Sequence, residues 1–414
     1  MPLSRPAMIA LFDEGVRAAD PGRAVTAALR DLPLDPGAGL YLLAVGKAAD
    51  AMMRAALDSL PLPRAALVVT NYENAAPVEG AQVMASGHPV PDANGLAAGL
   101  AAQALLENAG AGDTVLVLVS GGGSALLPTP VDGISLADKA AVNTLLLGAG
   151  LDITAMNAVR QHLSRLKGGG MLRAAAPARV VALILSDVIG DDLRVIASGP
   201  TVAPIMGRAD VRDMLRAQGL WDALPEAART ALDRADDDPP LPAADNRLIG
   251  SNGMSLDAMM RAHPGAQVLS AALTGDVAEA ADRICAAARA APRGAPLLAL
   301  FGGETTVTLR GRGRGGRNQE LALRVAMAMP DAVPEGRDWR FLSGGTDGRD
   351  GPTDAAGGVT DAHTLARIAA AGGDAESLLA YNDSYRALAL AGDLLQTGAT
   401  GTNVADLQIL SVDP

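Results

Sequence analysis

Thr114–Gly123 reads TVLVLVSGGG: six largely apolar residues that stop abruptly at a serine and three glycines. An apolar run this short, without polar alternation and bounded by turn residues, suits a parallel strand buried on both faces. The pattern recurs at Leu40–Lys47 (LYLLAVGK), Val180–Asp187 (VVALILSD), Leu297–Glu304 (LLALFGGE) and Trp339–Asp347 (WRFLSGGTD). Ala/Leu-rich stretches such as Leu96–Asn108 and Asp276–Arg289 have helical spacing and supply crossover helices. Together they predict an α/β fold of α/β/α layers, with ligands beyond the carboxyl ends of the strands.

A chain of 414 residues is too long for one ordinary core, so two α/β domains are expected. The polar, proline-rich stretch RADDDPPLPAADN (Arg234–Asn246) reads as the linker. We therefore expect a Rossmann-like N-terminal domain over residues 1–238 and a smaller C-terminal α/β domain over 239–414.

Net charge of −12 argues against a nucleic-acid partner, which needs a basic face. The single cysteine, Cys285, forms neither an internal disulfide nor a thiolate metal site, which fits a reducing, cytoplasmic setting. MPLSRPAMIALFDEGVRAAD at the N-terminus reads as an amphipathic helix rather than a leader, and no run of about eighteen apolar residues suggests a membrane span.

The glycine-rich turns carry the candidate chemistry. Gly46-Lys47 directly follows a strand, where an ammonium points toward the crevice and anions collect; a solvated loop lysine is the plain alternative. Only Lys47, Lys139 and Lys167 occur, arginine supplying all other fixed positive charge. Ser120-Gly121-Gly122-Gly123-Ser124 lets successive main-chain amides converge on an anion, although no lysine follows as in a GxxxxGK[ST] loop. In MNAVRQHLSRLKGGG (Met156–Gly170), Asn157, Arg160, Ser164 and Lys167 are spaced along one helical face. Asp187 ends a buried strand, where a carboxylate acts as a base, holds a hard cation or caps a helix.

FGGETTVTLRGRGRGGRNQE (Phe301–Glu320) sets Arg310, Arg312, Arg314 and Arg317 among glycines, a pliable backbone with guanidinium groups for a phosphorylated ligand. Gly311-x-Gly313-x-x-Gly316 formally satisfies the dinucleotide fingerprint, but the next strand ends in Gly-Gly-Thr rather than an acid, so we read the match as accidental. GGTDGRDGPTDAA (Gly344–Ala356) places Asp347, Asp350 and Asp354 where carboxylates can converge on Mg²⁺ or Ca²⁺. Of four histidines only His88, in ASGHPVPD, lies beside other turn residues; the rest read as structural.

SGGGSALL, MNAVRQHLSRLKGG, SDVIGDD with IASGPT, GGETTVTLRGRGRGGRNQE, GGTDGRDGPTDAAG and TGATGTNVADLQIL occur in that order between about Leu11 and the end. In this they resemble the class II glycerate kinases, whose C-terminal domain is shared with proteins labelled hydroxypyruvate reductases. Ala399 departs from the proline expected there. The resemblance implies two α/β domains with ATP and D-glycerate meeting in a cleft, a requirement for Mg²⁺, and 2-phosphoglycerate as product. Lys47 and Arg317 match the family's active-site lysine and arginine.

On that reading Lys47 and Arg317 contact the transferring phosphoryl or the glycerate carboxylate, and Asp187 orients or deprotonates the C2 hydroxyl. The 120–124 loop, Asn157, Arg160 and Lys167 hold polyphosphate or substrate, with Glu304 and Asn318 also on the nucleotide side. Mg²⁺ is shared by Glu304 and Asp347. The partners are small molecules, with a homodimer allowed. An NAD(P)H-dependent hydroxypyruvate reductase and a non-catalytic binder of a phosphorylated metabolite are the alternatives.

Overall fold

The computed structural model describes residues 2–35, 37–236, 239–292, 294–333 and 337–414. The chain forms two compact units, Pro21–Ile249 and Met1–Asp20 with Gly250–Pro414. The expected boundary at 238/239 falls at the edge of the described residues, since Asp238 lies outside them. The observed division comes later, because Ala244–Gly250 is a strand of the first sheet and not the end of a linker.

In the Pro21–Ile249 unit, β1 (Leu40–Val45), β2 (Ala65–Asn71), β3 (Gln82–Ser86), β4 (Thr114–Val119), β5 (Arg179–Leu185) and β6 (Ala244–Gly250) form one sheet in the order β3-β2-β1-β4-β5-β6. The pairs among β1 to β5 are parallel, as the apolar runs predict. Val45 pairs with Val119, so β1 and β4 end level. Tyr41, Leu43, Val45, Val115, Val117 and Val119 face one core cluster with Ala98, Ala102 and Leu106. The last three come from the helix Ala93–Glu107, started by the Asp92 carboxylate accepting the Gly95 N–H. A separate helical cluster, built from Leu136–Gly148, Ile153–His162, Arg208–Ala217 and Glu226–Leu232, has its own core around Leu146, Met156, Val159 and Leu215.

The other unit carries β7 (Gln267–Ser270), β8 (Gly275–Asp276), β9 (Leu297–Gly303), β10 (Thr305–Thr306), β11 (Trp339–Gly345), β12 (Gly357–Asp361), β13 (Leu394–Leu395) and β14 (Asp406–Val412). Its main sheet runs β13-β12-β11-β14-β9-β7, while β8 and β10 form a short ribbon. In the main sheet the expectation of parallel strands fails: β9, β11, β12, β13 and β14 pair antiparallel, while β7 joins β9 in parallel, as β8 joins β10 in the ribbon. The strands still look continuously apolar because helices cover both faces. Leu297, Ala299 and Phe301 enter the cluster under the helix Arg317–Ala332, and the alternating Leu298 and Leu300 meet Met8, Phe12 and Met259. The N-terminal amphipathic stretch is the helix Arg5–Ala18, capped by Ser4. It packs so closely that a Cβ on Gly15 would lie 2.6 Å from Leu407 Cδ1 and 2.9 Å from Met259 Sδ. Among the described residues no helix is long and apolar enough to cross a membrane.

Candidate active site

The first sheet has the 3-2-1-4-5-6 strand order of doubly wound folds, whose chain reverses direction between β1 and β4 and leaves a crevice beyond their carboxyl ends. Gly46-Lys47 and Ser120–Ser124 sit at that point and are joined. The Lys47 N–H donates to Gly121 O at 2.9 Å, and the Ala48 N–H to Ser120 Oγ at 3.1 Å. Gly46 takes φ +126° with its α-carbon against the Ser120 main chain, so no side chain fits there. Gly122 takes φ +84°, and a Cβ on it would lie 3.2 Å from both Lys47 Cγ and His88 Nε2. The lysine stem and the His88 ring therefore flank the turn directly. Among the described residues the N–H groups of Gly121, Gly122, Gly123 and Ser124 have no acceptor, which leaves a main-chain concavity suited to an anion.

Asp187 follows β5 and lies against Gly121, whose missing side chain makes room for the carboxylate. Burial raises the Asp187 pKa, and the nearby Lys47 charge pulls it partly back. The His88 pKa is lowered by burial and then by Lys47, against a smaller pull from Glu73. His162, by contrast, is a core histidine bonded to Met206 O at 2.8 Å.

Next to this turn lies a cavity of about 490 Å³ whose lining includes His88, Gly122, Ser124, Asn157, Arg160, Lys167 and Asp187. The expected single helical face is not what brings the cations together. The helix ends at His162; Asn157 and Arg160 are on it, Lys167 lies beyond it, and Ser164 instead bridges to Pro130. A hydrogen-bond chain ties the wall: Lys167 Nζ to Ser124 O at 2.6 Å, Ser124 Oγ to Ser198 Oγ at 2.9 Å, and Ser198 Oγ to Asn157 Oδ1 at 2.8 Å. Ala197 and Ser198 hold positive φ of 50° and 63°, the strained turn that the ASGPT motif encodes. Lys139 also lines the cavity and was missed. Its signal was lysine scarcity: two of the chain's three lysines line this cavity, and the third touches Gly122 at its edge.

The residues expected in the second half are placed differently. Arg317 starts the helix Arg317–Ala332 and is already committed: Nε and Nη2 bind Asp406 at 2.6 and 2.9 Å, and Nη1 meets Glu304 at 3.0 Å. Burial would lower its pKa, but Asp406, Glu304 and Asp350 carry it above the ordinary value. Asp350 accepts the N–H groups of Asn318 (3.1 Å) and Gln319 (2.8 Å), and burial with Asp406 nearby pushes its pKa up to about 7 against those bonds. Asn318 Oδ1 accepts from Ser343 Oγ at 2.6 Å, while its Nδ2 faces Asp406 without a well-formed hydrogen bond.

The glycines of GRGRGG are not an open cradle. A side chain on Gly311 or Gly313 would strike the main chain at Tyr381–Asp383, one on Gly315 would strike Ser384, and one on Gly316 would strike Asp350. Asn382 Oδ1 clasps the N–H groups of Arg310 and Gly311. The formal dinucleotide fingerprint thus lies in a loop packed on its own unit, between the two-residue strand β10 and the helix Arg317–Ala332, and not at a turn of the large parallel sheet. Asp347, Asp350 and Asp354 do not converge either: Asp347 Oδ1 accepts from the Arg349 N–H, Asp350 caps the helix, and Asp354 accepts from Tyr385 OH. Among the described residues no group of three or more His, Cys, Asp or Glu side chains is arranged to hold a metal ion.

Comparison with known proteins covers nearly all of the chain. Residues 7–233 match the DUF4147 domain of unknown function and residues 297–406 the MOFRL family. A D-glycerate 2-kinase from Thermotoga maritima is 39% identical over 97% of this chain and 96% of its own. A glycerate 2-kinase from Pyrococcus horikoshii is 37% identical over 97% and 96%. The crystal structure of a glycerate kinase from Thermotoga maritima superimposes with a TM-score of 0.89 at 38% identity, covering 97% of this chain and 98% of that one. The chain belongs to the glycerate kinase family that joins a DUF4147 domain to a MOFRL domain.

Proposed function

We propose that this protein is a glycerate 2-kinase, transferring the terminal phosphoryl of ATP to the C2 hydroxyl of D-glycerate with Mg²⁺ and yielding 2-phosphoglycerate. The observation that carries the reading is the turn at the β1/β4 switch point, where four amides without acceptors lie beside Lys47 and Asp187. Phosphoryl transfer asks a protein mainly to position its reactants and to neutralise charge on the equatorial oxygens. The amides of Gly121–Ser124 and the Lys47 ammonium supply that neutralisation without rearranging. Asp187 takes the hydroxyl proton, and the burial that raises its pKa makes it a stronger base than a surface carboxylate. Ser124, Asn157, Arg160 and Lys167 bind one of the two substrates beside it.

The Arg317 group acts as a preset cation. Asp406 is fully buried and fixes the guanidinium plane, whereas Glu304 is 47% exposed and is the partner that an incoming anion displaces from Nη1. Mg²⁺ bound with a nucleotide takes one or two carboxylates plus phosphate oxygens, so the lack of a three-carboxylate cage is compatible with it. Glu304 and Asp347, both in the Gly250–Pro414 unit, would hold the ion, which would supply charge neutralisation to a bound phosphate. Asn318 supports Arg317 from within the network.

The reductase alternative loses its fingerprint to the packing of the GRGRGG loop. The test is glycerate-dependent ADP formation in a coupled assay, run beside hydroxypyruvate-dependent loss of NADH absorbance. ADP formation without NADH oxidation is the expected outcome; the reverse pattern overturns the proposal.

A further inference from the structure

The cavity beside the switch point holds more positive charge than its contacts use. Lys139 Nζ donates to Pro128 O at 2.6 Å and Leu163 O at 3.1 Å, leaving one of its three N–H groups; Lys167 Nζ donates only to Ser124 O, leaving two. Arg160 donates to Asn143 Oδ1. Among the described residues none of these three cations forms a salt bridge, and Asp187 is the only carboxylate in the cavity lining. Burial lowers all three pKa values; Arg160 further depresses Lys139, and Lys139 and then Arg160 further depress Lys167. Cations gathered in this way, with donors to spare, await a polyanion.

The rest of the wall narrows the choice. Val90, Leu147 and Ile153 line the same cavity and are 70%, 58% and 54% exposed, unusual for large apolar side chains. A three-carbon acid has one carboxylate and no apolar face, so it would satisfy one cation and cover none of these side chains. A volume of about 490 Å³ also suits a ligand of drug size, which ordinarily fills about 300–1,000 Å³.

We infer that this cavity takes the nucleotide, with Lys139, Arg160 and Lys167 on its polyphosphate and the exposed apolar side chains against its base. The inference rests on the kinase reading for the identity of the nucleotide and adds to it Lys139 and the choice between the two substrates. Isothermal titration calorimetry with inorganic tripolyphosphate, ADP and D-glycerate tests it without turnover, on the wild type, Lys139→Met and Arg160→Gln. Tripolyphosphate should bind the wild type and be displaced by ADP. Each substitution should weaken it about tenfold or more, as for a lost charge-assisted hydrogen bond, with glycerate affinity unchanged. Because Lys139 also holds two carbonyls, Arg160→Gln serves alone if Lys139→Met does not fold. No tripolyphosphate binding by the wild type, binding that ADP does not displace, or variants that weaken glycerate and spare tripolyphosphate would each overturn the assignment. Failure of the kinase reading itself shows separately, as wild-type protein that binds tripolyphosphate and ADP yet forms no ADP from ATP and glycerate.

Discussion

Raising the pH should stabilise the Pro21–Ile249 unit, and Lys139 sets the window. Burial, with Arg160 as a neighbouring like charge, holds its pKa down to about 7 in the fold, against 10.5 for an exposed lysine. Between those values the unfolded chain keeps a proton that the folded chain has released, so stability rises with pH across the window. The gap corresponds to ~5 kcal/mol in full, or at most about 1.4 kcal/mol per pH unit. Lys167 acts in the same direction. The assay is urea unfolding at pH 7, 8 and 9. The chain's two tryptophans fall one in each unit, so Trp221 fluorescence in a Trp339→Phe background reports this unit alone. Cys285, whose pKa burial pushes up to about 11, opposes the trend above pH 9 but belongs to the other unit. Lys139→Met should flatten the slope, whatever it does to stability at any one pH, since Pro128 O and Leu163 O lose their donor. Saturating tripolyphosphate should flatten the wild-type slope too, because a bound anion favours the charged lysine. Parallel stability–pH lines for wild type and Lys139→Met would refute the reasoning.

Lys47→Ala should lower kcat at least ~10²-fold in steady-state kinetics, as for a lost transition-state contact, and an unchanged kcat removes the lysine from the reaction. Gly122→Ala should cost about 1–2 kcal/mol for its left-handed backbone and lower kcat as well, since the new methyl meets Lys47 and His88; a normal melt with normal turnover contradicts this. Arg317→Ala should destabilise its unit by about 3–5 kcal/mol, read by thermal melting, because fully buried Asp406 loses its partner. Gly15→Ala should destabilise by about 1–3 kcal/mol through overpacking against Leu407 and Met259, despite alanine's better helix propensity; a more stable variant would show that the helix Arg5–Ala18 does not pack there.

The first sheet was legible because buried parallel strands leave an unbroken apolar run ended by turn residues, as in LYLLAVGK and TVLVLVSGGG. The second sheet betrayed its layers but not its direction, since strands covered on both faces read alike whichever way they pair. Pro239 and Pro240 in the stretch read as a linker hid the short run into Ala244–Gly250 that completes the first sheet. The switch-point turn was found through its glycines and Lys47, where local conformation and chemistry coincide. The GRGRGG glycines misled for the opposite reason. Gly311, Gly313 and Gly315 make room for Tyr381–Ser384, a partner about seventy residues away that no local pattern announces. The pairing of Arg317 with Asp406 spans 89 positions and is equally invisible in the sequence. Lys139 could have been found, because it is one of only three lysines in a chain that otherwise uses arginine.

The most direct test is phosphorus NMR of the products after incubating the protein with ATP, Mg²⁺ and D-glycerate. ADP and 2-phosphoglycerate should appear in equal amounts, and at least ~10²-fold more slowly when Lys47 is replaced by alanine. A 3-phosphoglycerate signal, or ATP left intact while hydroxypyruvate is reduced at the expense of NADH, would contradict it.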